Sequence, residues 1–493
     1  MVEARHPAPP PTDFEVVIGL EIHCQLLTSS KMFCGCSADY AGAPPNTHVC
    51  PICLGMPGVL PVINRRAVEF TLMTGLALNC AIPEASKFDR KNYPYPDLMK
   101  GYQISQYDLP FTRDGWVDVE VDGQVRRVGM ERVHLEEDTA RLVHAPDSEG
   151  RPCSLLDVNR SGVPLMEIVS KPDLRSPAEA RAYLQKLRAI LRTLGVSTGN
   201  MEEGSFRCDA NISLRPRGVE ALGTRTEVKN MNSFRSVARA LEYEIGRQTA
   251  LLERGERVVQ ETRGWVEDRG VTVSQRSKEQ AHDYRYFPEP DLPPLFVARA
   301  RVEELRAALP ELPDARSERY GREYGLTPYL AGQLATSRDL AELFEQTVRL
   351  YPDPTTVGNW IQTELFRLQK EGGDEAEARA LLSAEHLAEL LRLLEQGAVS
   401  GSAAKQVFEE LYRTGRAPTE IVESLGLAQV SDVDALGGAV RDAIEANPRP
   451  VADYRAGKTA ALGRLVGEVM KATRGRANPA TVSELLRQEL HAE

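Results

Sequence analysis

A chain of 493 residues exceeds what one ordinary hydrophobic core serves, so roughly two to four domains are expected. Hydrophobic residues are 42% and charged residues 27%, an ordinary globular balance, and no apolar run reaches the ~18 residues of a membrane span. The net charge of −11 excludes a protein that coats nucleic acid with its whole surface.

The start, MVEARHPAPPPTD, lacks the apolar stretch of a secretory signal and reads as a loose Pro-rich tail. Residues 16–26 (VVIGLEIHCQL) then alternate. Val16, Ile18, Leu20, Ile22 and Leu26 share one face, and Gly19, Glu21, His23 and Gln25 share the other. This is a strand with one buried and one polar side.

Four of the eight cysteines follow within twenty residues, as Cys34-x-Cys36 and Cys50-x-x-Cys53. In a large chain without an export signal, a cytoplasmic one, such clusters are metal ligands more often than disulfides. Two close pairs joined by a short loop, with Gly42, Pro44 and Pro45 to turn it, let four thiolates converge on one zinc ion. Four protein ligands leave no open position, so the site is expected to be architectural. His48 could stand in for one cysteine.

Acidic groups recur further on, at His134-Leu135-Glu136-Glu137-Asp138 and at Glu167 inside PLMEIV. A carboxylate among Leu165, Met166, Ile168 and Val169 is costly to bury unless it is paired or cation-bound. Oxygen ligands from several strands suit Mg²⁺, which bridges carboxylates to nucleotide phosphates. Taken singly, each group also has a plainer reading as a solvated or satisfied side chain. Parity does not settle which acid of the pair points inward. Glu136 goes with His134 and Arg132, Glu137 goes with Val133 and Leu135, and a bulge could change either. No Walker-type glycine loop is present, so any ATP would bind in another kind of fold.

Ser176, Pro177 and Glu179 mark a helix start with a capping box, and Gly195 marks its end. Residues 205–214 (SFRCDANISL) alternate again, placing Ser205, Arg207, Asp209, Asn211 and Ser213 on one face as a floor for a polar ligand. A further helix is expected after Ser233, running to about Glu253. The segment PEPDLPP (288–294) holds four prolines and cannot be a regular helix or central strand, so a domain boundary is placed there. Helical patterns follow, with a second boundary in GAVSGSAAK (397–405). The expected domains are therefore 1–294, 295–402 and 403–493. In the last, Arg455, Lys458, Arg464, Lys471, Arg474 and Arg476 face a single acid, Glu468, between 455 and 476. A basic stretch in an acidic chain fits phosphate contacts.

Several long strings resemble one family. They are VIGLEIH (17–23), SKFDRKNYPYPDLMKGYQISQYD (86–108), HLEED (134–138), LDVNRSGVPLMEIVSKPD (156–173), MEEGSFRCDANIS (201–213), EVKNMNSF (227–234) and DYRYFPEPDLPP (283–294). With KTAALGRLVGEVMKATRGRANPATVSELL (458–486), they resemble the signature blocks of the GatB/GatE family of the tRNA-dependent amidotransferases, in family order. The pattern is that of the bacterial-type GatB members. The resemblance implies an α+β fold: a cradle-shaped catalytic domain similar to glutamine synthetase and the guanidino kinases, then a helical domain and a small YqeY-like all-α tail. It implies a carbon–nitrogen ligase working in a heterotrimer with an amidase and a third, small partner. ATP would phosphorylate the side-chain carboxylate of Glu-tRNA(Gln) or Asp-tRNA(Asn), and ammonia from the amidase would displace the phosphate. A non-discriminating aminoacyl-tRNA synthetase is a further implied partner.

The family's Mg²⁺ ligands match Glu21, His23, Glu137 and Glu167 here, which favours Glu137 over Glu136. Lys91, Arg90 and Arg207 are candidates for phosphate or carboxylate contacts, with structural ion pairing as the alternative. Glu136 is a candidate for cofactor contact, and Asp209, Asn211 and Lys229 are candidates for lining the same cavity or the ammonia path. The cysteine cluster places the chain with the family's zinc-containing variants. The basic stretch gains a role in tRNA contact. A non-catalytic tRNA-binding scaffold and a free-standing ligase for a small acid are the competing readings.

Overall fold

The computed structural model describes residues 13–277, 284–372, 382–429, 433–473 and 477–492. The expected loose tail before residue 13 lies outside them, as do Arg474 and Arg476. The chain divides into two compact units, Met1–Leu312 and Pro313–Glu493.

The first unit is built from fifteen strands among its described residues. They are β1 (Phe14–Gln25), β2 (Ala85–Ser86), β3 (Asp89–Asn92), β4 (Tyr102–Ser105), β5 (Thr112–Val121), β6 (Gln124–Glu137), β7 (Arg141–Pro146) and β8 (Pro152–Asp157). There follow β9 (Pro164–Ser170), β10 (Phe206–Pro216), β11 (Thr226–Lys229), β12 (Glu261–Val266), β13 (Val271–Ser277), β14 (Phe287–Pro288) and β15 (Leu295–Phe296). Eight of them form one sheet in the order β13-β12-β11-β10-β1-β9-β6-β5. All its neighbours run antiparallel except β11 and β12. A small sheet, β14-β3-β4, lies beside β6.

β1 is the hub of the large sheet. Ile18, Leu20, Ile22 and Cys24 are buried on one side, while Glu21, His23 and Gln25 alternate with them. Val16 is only half-buried, at the strand's entry. Three helices line the apolar side: α1 (Arg65–Ala77), α2 (Pro177–Leu194) and α3 (Phe234–Glu253). Tyr183, Leu184, Leu187 and Leu191 of α2, spaced as one helical face, are buried in the same cluster as Ile18, Leu20 and Ile22.

The helix signals act almost as read. Ser176 Oγ accepts from the Glu179 amide at 3.1 Å, and Gly195 closes α2 in the left-handed region at φ 66°. Glu179 reaches back one residue further than a capping box requires, accepting from the Arg175 amide at 2.7 Å. Ser233 caps α3 through the Ser236 amide at 3.0 Å.

The expected boundary at Pro294 needs correction. α4 (Arg299–Ala307) lies beyond it, yet Val302 and Leu305 are buried in the first unit's core and Arg301 pairs with Glu69 of α1 at 2.6 Å. The prolines break regular structure there without ending the domain. The unit ends at Leu312.

The second unit is helical throughout its described residues. It holds two apolar clusters. One runs from Tyr320 to Val422 with Leu427 packed against it, the other from Leu436 to Leu490. The expected division at 402/403 falls at the head of the helix Gly401–Thr414, whose Ala403, Val407, Phe408 and Leu411 all belong to the first cluster. The small-residue stretch ends in a capped helix start, Ser400 accepting from the Ala403 amide at 3.2 Å, and the change of core comes later, between Leu427 and Leu436. No helix of the described residues is long and apolar enough to cross a membrane.

Candidate active site and cysteine centre

The polar side of the large sheet collects its charges at the four central strands. Register places Arg207, His23, Glu167 and His134 side by side on β10, β1, β9 and β6, with Asp209 beside Glu21 one step along. His23 Nε2 lies 3.4 Å from Glu167, 3.7 Å from Glu136 and 3.7 Å from Glu21. His134 Nε2 lies 3.4 Å from Glu167. Two groups of ligand atoms, Glu21–His23–Asp209 and His23–Glu136–Glu167, each gather within 4.8 Å.

These groups conflict electrostatically. Burial pushes the Glu21 carboxyl up to about 7, with the Glu167 charge adding to it. Burial also raises Glu136. Burial alone would lower His23, but the hydrogen bond and charge of Glu167, together with Glu136 and Glu21, push it up to about 9. Burial takes His134 down to about 4, so His23 is the imidazole that carries charge at neutral pH. Glu167 is held well below its usual range by His134 and His23 in spite of burial. Several carboxylates around one imidazole is a donor set that a divalent cation would satisfy by taking the place of the imidazole proton.

The strand places Glu136, and not Glu137, in this cluster. Arg132, His134 and Glu136 stay on the polar side, and Glu136 is 1% exposed beside His23. Glu137, favoured through the resemblance, points the other way and is not part of the cluster. Its carboxylate accepts from the Ile104 amide at 3.0 Å and pairs with Lys100, and its carbonyl accepts from Gln103 at 2.7 Å.

Lys91 of β3 does reach the site. Its ammonium lies 5.2 and 5.9 Å from the Tyr284 and Tyr93 ring centres, and the Glu136 and Glu167 charges raise it well above its usual value despite burial. Arg90 does not. It makes a fork to Glu289 at 2.7 and 2.8 Å and stacks on Tyr102, so structural ion pairing describes it. Arg207 is held by Asp138 at 3.2 Å, and Asp138 also accepts from Gln25 at 2.7 Å. Lys229 pairs with Asp209 and lies 3.6 Å from Glu227. Asn211 leaves a buried side-chain oxygen without a hydrogen-bond partner. The sequence did not single out His134 or Asp138 as site residues. The parity of His134 with Glu136 was the one signal for it.

The four sulfurs of Cys34, Cys36, Cys50 and Cys53 also lie within 4.8 Å of one another. None is in a disulfide. The neighbouring Cys34 thiol holds Cys53 low, to about 4, against burial, and the Cys50 amide donates to the Cys53 sulfur at 3.1 Å. Mutually facing thiols with amide donors fit a tetrahedral zinc centre. His48 is not in the group. Its amide donates to Asn159 at 2.8 Å and its carbonyl accepts from Lys31 at 2.8 Å.

In the tail, Arg455, Lys458, Arg464 and Lys471 are exposed. Lys458 pairs with Asp453 at 2.9 Å and Lys471 with Glu468 at 2.7 Å, so two of the cations are partly neutralised.

Residues 16–303 match the model of the GatB/GatE catalytic domain, and residues 342–490 match that of the GatB domain. The chain belongs to the GatB family of tRNA-dependent amidotransferases. A relative from Thermomicrobium roseum is 59% identical over 97% of this chain and 99% of its own length. One from Moorella thermoacetica is 58% identical over 97% and 100%, and one from Carboxydothermus hydrogenoformans 54% over 97% and 99%. All three are named as the B component of an aspartyl/glutamyl-tRNA(Asn/Gln) amidotransferase. The catalytic-domain match contains every residue of the acid cluster and of the cysteine centre.

Proposed function

We propose that this chain acts in tRNA-dependent amidation, as the component that activates and amidates the misacylated aminoacyl group. The observation that carries this is the gathering of Glu21, His23, Glu136 and Glu167 on one sheet face, with Lys91 within reach of the Glu136 and Glu167 charges and Arg207 beside His23. A scaffold that only held tRNA would have no use for several buried acids around one imidazole. The mixed sheet serves as the floor of a cradle of glutamine synthetase type.

The substrate is the side-chain carboxylate of glutamyl-tRNA(Gln) or aspartyl-tRNA(Asn). A carboxylate is a poor electrophile and so a poor acyl donor to ammonia; its oxygen therefore first takes the γ-phosphoryl group of ATP, releasing ADP. Ammonia then attacks the acyl carbon and phosphate leaves. Bringing carboxylate and triphosphate together concentrates negative charge, and cationic groups must offset it. Glu21, His23, Glu136 and Glu167 would hold Mg²⁺, which supplies that neutralisation when bound. Lys91 adds an ammonium that interacts with the charges of the same cluster. Asp138 fixes one side of Arg207 and leaves its remaining donors for a phosphate or carboxylate oxygen. Asp209, Asn211 and Lys229 extend the polar floor away from the phosphate end.

Ammonia reaches the site by a channel from the amidase partner, with the third, small partner completing the heterotrimer in the cytoplasm. The exposed tail cations hold tRNA phosphates. The test is formation of ADP dependent on Glu-tRNA(Gln) by the reconstituted trimer. Glu136→Gln is expected to abolish it while leaving glutamine hydrolysis by the amidase in place. Full ADP formation by that variant would sink the catalytic reading and favour the scaffold.

A further inference from the structure

Lys31 is a buried cation that the proposed reaction does not use. Its side chain is 1% exposed. The ammonium donates to the His48 carbonyl at 2.8 Å and lies 3.5 Å from the Val158 carbonyl. Among the described residues it makes no ion pair with a carboxylate. Carbonyl oxygens satisfy the hydrogen-bonding of an ammonium but not its charge, and an uncompensated buried charge is strongly destabilising.

What lies beside it is the cysteine centre. The Lys31 amide donates to the Cys36 carbonyl at 2.9 Å, so its backbone belongs to the first cysteine pair. His48, the main acceptor of its side chain, stands two residues before Cys50. A Cβ placed on Gly162 would come within 3.5 Å of the Lys31 side chain, 3.7 Å of the Cys53 side chain and 3.9 Å of the Glu137 carboxylate, which is already paired with Lys100. Lys31 is thus tied to the first cysteine pair through its backbone and to the segment leading into the second through its side chain.

A divalent ion in four thiolates leaves two net negative charges, here at a partly buried site. We propose that Lys31 is the built-in counter-cation of the cysteine centre, supplying the charge that lets all four cysteines bind as thiolates. The proposal rests on reading the centre as a metal site. It makes Lys31 a positioning and charge-balancing residue, and it accounts for an ammonium that makes no ion pair among the described residues although it is buried.

The experiment titrates the purified full chain, stripped of metal, with Co²⁺ and with Zn²⁺. Thiolate-to-cobalt absorption is recorded across pH, and zinc affinity is read by competition with a chromogenic chelator. Lys31→Met keeps the length and apolar stem of the side chain but removes its charge. It should weaken zinc binding by about 10- to 100-fold, the usual effect of altering a group just outside the ligands. It should also move cobalt binding to higher pH. Lys31→Arg, which keeps the charge, should stay closer to the unmodified chain. Asn159→Ala is the control. It removes the side chain that fastens the Pro44 carbonyl and the His48 amide, and so loosens the loop without changing charge. It should leave the pH midpoint in place.

Equal affinity and equal midpoint for Lys31→Met and the unmodified chain would overturn the proposal. So would a midpoint shift in Asn159→Ala as large as that in Lys31→Met. If Lys31→Met does not fold, Lys31→Gln against Lys31→Arg carries the same comparison. Less than about half an equivalent of metal on the unmodified chain would instead remove the metal-site reading itself.

Discussion

Glu136 and Glu137 are adjacent in sequence and face opposite sides of β6, and the proposed function gives them different parts. Glu136 meets His23 at 3.7 Å, while Glu137 braces the Ile104 amide and Lys100. Glu136→Gln should therefore lower ADP formation at least ~100-fold with little change in folding stability. Glu137→Gln should do the reverse. It should cost about 1–3 kcal/mol in a denaturant titration, because Ile104 and Lys100 lose a charged acceptor, and leave turnover within about tenfold. Equal effects of the two substitutions on turnover would contradict the assignment. The sequence carried half of this. Strand parity put Glu136 with His134 and Arg132, and the match to the family pulled the choice to its neighbour. The position of Arg90 was not legible at all, since Glu289, its partner, stands 199 residues away.

At the scale of elements, local signals held where both partners lie within one turn. Ser233 caps α3 as its position before Phe234 suggested, and Ser233→Ala should cost about 1 kcal/mol of stability by thermal or denaturant unfolding. A deeper contribution comes from Glu244 on the same helix. It is fully buried, 2.7 Å from Arg247 and 3.1 Å from Arg263. Burial would raise its carboxyl, but the hydrogen bonds of Arg247 and Thr272 bring it below the usual value of 4.5. A depressed folded-state value means that ionised Glu244 stabilises the fold above the unfolded value. That contribution is lost as pH falls through the lower folded one. The stability gap between the unmodified chain and Glu244→Gln, measured in denaturant at stepped pH, should be constant above about pH 5 and shrink below about 4.5. A gap unchanged down to pH 3 would exclude ionised Glu244 as the cause.

For the whole molecule, the domain boundary follows burial and not proline content. A fragment of residues 1–312 should unfold cooperatively, judged by coincident far- and near-ultraviolet circular dichroism transitions. A fragment ending at 294 loses Val302 and Leu305 from the core, each worth about 1.5–3 kcal/mol when buried, and should be markedly less stable. Equal midpoints for the two would restore the shorter domain. The sequence by itself determined the alternating strands that bear Glu21, His23, Arg207 and Asp209, the capped helices α2 and α3, and the grouping of four cysteines. These are set by periodicity and by short-range hydrogen bonds, which lie within a few residues of each other. Only the tertiary structure decided that β1 lies between β9 and β10, so that Glu167 and Arg207 flank His23. It also decided that Glu136 faces the cluster, that Arg90 is spent on Glu289, and that Lys31 is buried beside the thiols. The strand neighbours, Glu136 and Arg90 depend on which distant strands share an edge, and pairing across 100 residues or more leaves no period in the chain to read; the place of Lys31 depends on how the irregular cysteine loop closes, which has no period either.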